Sequence, residues 1–248
     1  IQQVPRKTTA EETPGKFKNK SIRTLMGTVE LNNREWEELS ADWGEHPVEL
    51  LCGADGGLKD GIGTSGYVIY REGHDEPIMS GYSAEQQKDI VVSSTRHELI
   101  AQLCIEYGIA HLIQQLGHPK YRVKIKLVTD SQASILILDK TTRAIGIKPF
   151  LAPDMDIAME ILRQRKCRED CLFDVYKVKS HITIEEAPNE LYWKVNSEAD
   201  ELATIARDKV QEGSLHAHQP IFLQGSQAIC EIGGSLCTAE LRQAIQTE

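Results

Sequence analysis

Three absences narrow the reading of this chain before any motif is considered. No run of apolar residues approaches the ~18 needed to cross a bilayer, and Ile1 to Lys20 is polar, without the apolar core of a secretion signal. Both point to an intracellular protein, cytoplasmic or nuclear, with no membrane partner. Cysteine is scarce. The six cysteines (Cys52, Cys104, Cys167, Cys171, Cys230 and Cys237) sit mostly in apolar stretches of a chain too long to need disulfide staples, so reduced thiols are expected. Net positive charge is lacking too: the formal value of −9 argues against a broad cationic surface for non-specific nucleic-acid binding. A local groove still needs only a few well-placed Lys and Arg, and carboxylates that capture metal add to the negative count.

What is present suffices for a buried core. Hydrophobic residues at 40% and charged residues at 26% lie near the averages of soluble globular proteins. The 248 residues hold one generous domain with extensions or two small ones. The chain starts at Ile1 rather than Met, which fits a piece of something longer.

Residues 1–46 are rich in Lys, Thr, Glu and Asn, with one short helix at Asn33 to Asp42, and are read as a flexible flank or linker. The run Val48 to Ala54 is apolar and β-prone and ends at Asp55-Gly-Gly. Gly66 to Tyr70 and Pro77 to Tyr82 follow, separated by a turn-forming stretch, so three antiparallel strands in meander order are predicted. From Ser94 the spacing becomes helical, with Leu99, Leu103, Tyr107 and Ala110 on one stripe. Val123 to Thr129 alternates as a strand and delivers Asp130 at its end, before a short helix from Ser131 to Lys140. An amphipathic helix at Asp154 to Lys166, a strand at Leu172 to Lys179 and a helix at Trp193 to Val210 complete residues 47–212. Residues 213–248 suggest an extension with strands at Pro220 to Leu223 and Ala228 to Ile232 and a helix from Ala239. The class implied is α/β: a five-stranded mixed sheet, three antiparallel strands then two parallel, with helices on both faces.

Two hard divalent cations ~4 Å apart need several anionic oxygens converging from separate elements. Asp55 and Asp130 end the first and fourth strands, and if those strands are parallel neighbours both project from one sheet edge. Glu98 can join from the start of its helix, and Asp200 from the last one. Taken alone, Asp55-Gly-Gly is an ordinary turn and Asp130-Ser a helix cap. Glu98 alone is a solvated helix residue and Asp200 a surface acid. Their joint occurrence in order is what carries weight.

Five segments in order resemble the ribonuclease H family: Ala54-Asp-Gly-Gly57, Thr95-Arg-His-Glu-Leu-Ile-Ala101, Thr129-Asp-Ser-Gln132, Val178-Lys-Ser-His181 and Asn196-Ser-Glu-Ala-Asp-Glu-Leu-Ala203. The resemblance covers Val48 to Val210 and implies a ribonuclease H-like fold and an endonuclease that hydrolyses the RNA strand of RNA/DNA hybrids with two Mg2+ ions, Mn2+ substituting. It implies that Asp55 bridges both ions, that Asp200 helps hold the one activating water, and that Glu98 and Asp130 hold the one at the leaving oxygen. His181 corresponds to a mobile histidine that assists departure, and Asn196 to an orienting asparagine. Substrate contacts fall to Gly56, Gly57, Ser94, Thr95, Arg96, Gln132 and Asn196, with RNA selected through its 2′-hydroxyls.

The pattern is varied in three places: a longer stretch from His181 to Asp200, Ser94 and Thr95 where asparagines are usual, and no dense basic protrusion between Asp139 and Lys166. The extended stretch and the tail resemble the ribonuclease H portions of retroelement reverse transcriptase polyproteins, which implies an attached reverse transcriptase domain. Integrases and transposases place their glutamate after the second aspartate, and proofreading exonucleases carry Asp-x-Glu on the first strand; neither arrangement is found here. Cys167, Cys171 and His181 make only three of the four ligands a closed zinc site needs. The competing reading is an inactive ribonuclease H-like module for nucleic-acid binding or connection.

Overall fold

The computed structural model describes residues 20–86, 90–91, 93–142, 154–180, 182–223, 230–232 and 235–237. In chain order these form α1 (Lys20–Met26), β1 (Thr28–Leu31), α2 (Asn33–Asp42), β2 (Glu49–Lys59), β3 (Ile62–Arg71), β4 (Pro77–Gln86) and β5 (Ile90–Val91). Then come α3 (Ser94–Leu116), β6 (Val123–Thr129), α4 (Gln132–Thr142), α5 (Met155–Lys166), β7 (Cys171–Lys177), a 3-10 turn at Ile184–Glu186, α6 (Glu190–Gln211), β8 (Cys230–Ile232) and β9 (Ser235–Cys237).

The main sheet runs β1-β4-β3-β2-β6-β7. The predicted meander is present: β2 pairs antiparallel with β3, and β3 with β4. The predicted parallel pair is present too, with β6 beside β2 and β7 beside β6. Side chains alternate across the sheet, as the period of two requires. Leu50, Cys52, Ala54, Tyr67 and Ile69 face the larger core under α3, α5 and the N-terminal helices. Leu51, Val68, Tyr70 and Val128 face the other way, onto Val195 of α6. Helices therefore cover both faces, and β3 is buried at eight consecutive positions. That double burial explains why these strands read as apolar runs rather than as clean alternation.

α3 is the central helix. Ser93 caps its start by accepting a hydrogen bond from the Arg96 amide, and Gly117, at φ +85, ends it. Apolar residues lie all around it because sheet, α1, α4 and α5 surround it.

Two expectations are corrected. The main sheet has six strands rather than five: β1 adds to the edge of β4 in the register Thr28↔Tyr82 to Leu31↔Met79. Four partly exposed residues are too few to display a period, so sequence reading passes over such a strand. Residues 20–46, read as a flexible flank, are also packed. Leu25, Met26 and Leu39 are wholly buried or nearly so, and the Tyr67 hydroxyl donates to the Met26 carbonyl (3.0 Å).

The described part of the C-terminal extension is strapped to the body. The amide of His218 donates to the Ala84 carbonyl, and the amide of Gln86 to the His218 carbonyl. Pro220 to Leu223, predicted as a strand, pairs with no strand among the described residues; side chains of α3 and α5 hold it instead. Of the predicted strand at Ala228 to Ile232, Cys230–Ile232 is seen, paired antiparallel with β9 in a small sheet that includes β5. The helix predicted from Ala239 lies outside the described residues.

Candidate active site

β2 and β6 run side by side and parallel, so their C-terminal ends reach the same sheet edge. Asp55 stands toward that end of β2 and Asp130 follows directly after β6. Glu98 arrives from the start of α3. The ligand atoms of Asp55, Glu98 and Asp130 all lie within 4.8 Å of one another.

Two glycines make this approach possible. A Cβ on Gly56 would sit 2.4 Å from the His97 carbonyl carbon and 2.6 Å from the Glu98 amide nitrogen, so only glycine lets α3 descend onto β2. Gly66 is the register partner of Asp55 on β3, and a Cβ there would meet the Ala199 carbonyl oxygen at 2.1 Å. That contact seats α6 beside Asp55 and brings Asp200, the next residue, close enough to act on the Asp55 carboxyl. Three of the four acids singled out from the sequence therefore meet, and Asp200 stands beside Asp55 on the exposed rim, outside the group of three.

The electrostatics are those of acids held close together. Burial, followed by the charges of Asp130 and Asp200, pushes Asp55 up to about 8. Burial, followed by Asp55 and Asp130, pushes Glu98 up to about 9, and Glu98 Oε2 is buried without a hydrogen-bond partner. The Gly56 amide opposes both shifts. A divalent cation fits this site: the donors are all carboxylate oxygens, the set suited to Mg2+ or Mn2+, and an ion would supply the missing positive charge.

The other anticipated residues divide. Gly57 is open, with nothing within 4 Å of where a Cβ would lie. Ser94 and Gln132 are exposed first residues of α3 and α4, and Thr95 is half-buried. Asn196 precedes Asp200 by one helical turn, and its Oδ1 is buried without a partner. His181 lies outside the described residues.

Arg96 is a correction. Its side chain is fully buried and donates to both Asp156 oxygens (2.8 and 3.0 Å) and to the Ile221 carbonyl (2.6 Å), so it is closed to a substrate. Its partners lie 60 and 125 residues further along the chain, beyond what local sequence can indicate.

Sequence reading also missed the groups behind the site. Glu85 is buried near the Ile221 backbone, and among the described residues neither of its oxygens makes a well-formed hydrogen bond; it lies 3.8 Å from His97 Nδ1 and 3.9 Å from His218 Nδ1. Burial pushes Glu85 up to about 7 and His97 down to about 3. Gln102, one turn after Glu98, donates to the Ser134 hydroxyl (2.8 Å) inside the core.

No protein-family model matches the sequence, and no curated protein matches it. Among solved structures, the chain is similar to the N-terminal RNase H domain of Rv2228c from Mycobacterium tuberculosis. Identity there is 16% over 67% of this chain and 99% of that one, with a TM-score of 0.46. It is also similar to RNase H1 from the halophilic archaeon Halobacterium salinarum, at 18% identity over 65% and 98% of the two chains and a TM-score of 0.42. A third similar structure is the protease-reverse transcriptase of prototype foamy virus, at 14% identity over 65% of this chain but 21% of that one, with a TM-score of 0.43.

Proposed function

We propose that this chain is a metal-dependent endoribonuclease that hydrolyses the RNA strand of RNA/DNA hybrids. The observation that carries the reading is the meeting of Asp55, Glu98 and Asp130 within 4.8 Å at one sheet edge, with Asp200 against Asp55. Acids so arranged are unfavourable for the apoprotein and favourable for one that holds cations.

Asp55 feels the charges of both Asp130 and Asp200, shares the tight cluster with Glu98, and is assigned to serve both ions. Two Mg2+ ions, when held there, would activate a water and stabilise the leaving oxygen of a phosphodiester. The remaining work falls to the chain. Asn196 carries a partnerless buried oxygen one turn from Asp200 and is assigned to orient the reacting groups. Ser94 and Gln132 lie at the N-termini of α3 and α4, where backbone amides attract phosphate and polar side chains reach sugar hydroxyls. Gly57, open to solvent, admits the strand closely. His181 is assigned to product departure.

The catalytic unit is assigned to residues 47–212, with 1–46 and 213–248 as its extensions. The polyprotein setting, with a reverse transcriptase attached, is supported by the sequence resemblance after His181. Reading the transcript upstream of the Ile1 codon tests that setting, and the absence of polymerase motifs there would remove it.

The activity itself is tested with the purified chain, a labelled RNA/DNA hybrid and Mg2+, with Asp55→Asn beside it. Cleavage leaving 5′-phosphate and 3′-hydroxyl ends, lost in the variant, is the expected result. Mn2+ is expected to substitute, and Ca2+ to bind with little cleavage because its looser geometry positions water poorly. Equal inactivity of both proteins would leave the fold as a binding or connection module.

A further inference from the structure

We propose that Glu35, Glu38 and His74 form a second metal site, which takes a borderline transition-metal ion such as Zn2+ and fastens α2 to the β3–β4 turn. The three residues come from two elements. Glu35 and Glu38 stand three apart on α2 and so share a face. The first turn of that helix is fixed by Asn32, whose side chain accepts from the amides of Arg34 and Glu35. His74 sits in the turn between β3 and β4, held by its own amide to the Arg71 carbonyl (3.1 Å) and by Gly73 at φ +85.

The ligand atoms converge. His74 Nδ1 lies 2.7 Å from Glu35 Oε2 and 3.7 Å from Glu38 Oε2, and one ligand atom from each of the three residues lies within 4.8 Å of the others. In a tetrahedral zinc site with ligands ~2.0 Å from the ion, neighbouring ligand atoms are about 3.3 Å apart. Small side-chain adjustments bring the observed set to that spacing and leave the fourth position to water.

The surroundings favour an ion over a bare pair. The Glu35 side chain is only 6% exposed, and among the described residues it pairs with His74 and with no lysine or arginine. A carboxylate so buried calls for a compensating cation. The Arg34 contact to Glu38 (3.1 Å) does not compete strongly, since Arg34 is 81% exposed and such pairs are weak in water.

Donor chemistry separates the two sites. Asp55, Glu98 and Asp130 offer oxygen alone, which suits hard Mg2+. Glu35, Glu38 and His74 offer two oxygens and an imidazole nitrogen, which suits Zn2+ and its neighbours. Position separates them too. His74 follows Arg71, which pairs with Leu50 near the start of β2, whereas Asp55 lies five residues further along that strand, opposite Gly66. The second site therefore lies apart from the first, and an ion held there by three protein ligands, with one open position, would tie the N-terminal elements to the sheet.

The test uses the full chain carrying Asp55→Asn to weaken the oxygen-only site, stripped of metal and titrated calorimetrically with Zn2+ in the presence of excess Mg2+. The expected result is one tightly bound zinc per chain and a rise in Tm. Adding His74→Asn is expected to abolish both, and adding Glu38→Gln to weaken zinc binding at least about tenfold. In the otherwise wild-type chain, His74→Asn is expected to leave Mg2+-supported cleavage unchanged. Glu38→Gln, a half-exposed position, provides the reading if His74→Asn fails to fold. A parent that binds no zinc, or variants that bind it as the parent does, would overturn the proposal.

Discussion

Two charged side chains two residues apart in the first turns of α3 meet opposite fates. Arg96 is buried among partners that the chain itself supplies: Asp156 in a bidentate pair, Asp154 at 3.7 Å, the Ile221 carbonyl, and the ring of Phe222 at 5.1 Å. Glu98 is buried among other acids, with one oxygen lacking any partner. The first arrangement is closed and matched in charge, although Arg96 Nε and Asp154 Oδ1 are buried without a hydrogen-bond partner among the described residues. The second gathers like charges around a partly buried carboxylate, and a protein that crowds acids there while matching a buried guanidinium nearby in charge reserves them for a cation that arrives from outside.

Substitution on the two sides sharpens this contrast, and the largest effect is expected on chemistry. Asp55→Asn, Asp130→Asn and Glu98→Gln should each lower the cleavage rate by at least ~10³-fold, because each removes a metal ligand or its charge. Their stability should be unchanged or higher, since each relieves repulsion, and thermal melts of the metal-free proteins check this. Arg96→Met should do the reverse. Stranding Asp156 without its cation is expected to cost about 3–5 kcal/mol of folding stability by denaturant titration, with the rate per folded molecule much less affected. A Glu98→Gln that unfolds, beside an Arg96→Met that does not, would invert the comparison.

The next effect in size concerns pH. Asp55 at about 8, Glu98 at about 9 and Glu85 at about 7 all lie above ordinary carboxylate values. The folded state therefore keeps protons that the unfolded chain releases from about pH 4 upward. Stability from these groups is fully present below that point and is lost as pH rises through 7 to 9. Metal-free protein should melt progressively lower over this window. Saturating Mg2+ should flatten the part due to Asp55 and Glu98, because the ion replaces the protons. Glu85→Gln should remove the remainder, raising stability near pH 8 by something on the order of 1–3 kcal/mol and having little effect near pH 5. An identical slope with and without Mg2+ would mean that the ion does not compensate these acids.

Much of this architecture was legible because it is written locally. β6 was located to the residue from the alternation of Val123 to Thr129, and α3 from its apolar stripe and a serine, Ser93 or Ser94, to cap it. Asp130 was legible because it follows a strand and Glu98 because it stands near the start of a helix, whereas Asp55, inside β2, and Asp200, in the middle of α6, were picked out by their neighbours in sequence. What escaped depends on long-range packing. β1 is too short to display a period and is a strand because β4 offers it an edge. Arg96 reads like a solvent-facing helix residue until α5 and the strap at Ile221 fold over it. Glu85 ends an ordinary-looking strand, and nothing near it in sequence announces that His97 and His218 will enclose it.

The smallest expected effect lies between the two sides. Gln102 is one turn beyond Glu98 on α3, and its amide donates to the Ser134 hydroxyl on α4, which in turn donates to the Ser131 carbonyl (3.0 Å), the residue after Asp130. This buried link joins the helix carrying Glu98 to the loop carrying Asp130. Its other atom, Oε1, has no partner, so removing the amide group forfeits one hydrogen bond and also relieves one unsatisfied carbonyl. Gln102→Met, similar in length, should therefore leave stability within about 1 kcal/mol of the parent. The separation of the two acids is no longer pinned, so the rate should fall by roughly five- to tenfold and half-maximal cleavage should require more Mg2+. A melt shift without change in the Mg2+ requirement would make Gln102 a packing residue only. A raised Mg2+ requirement at unchanged stability would show that the open cluster depends on the closed core for its spacing.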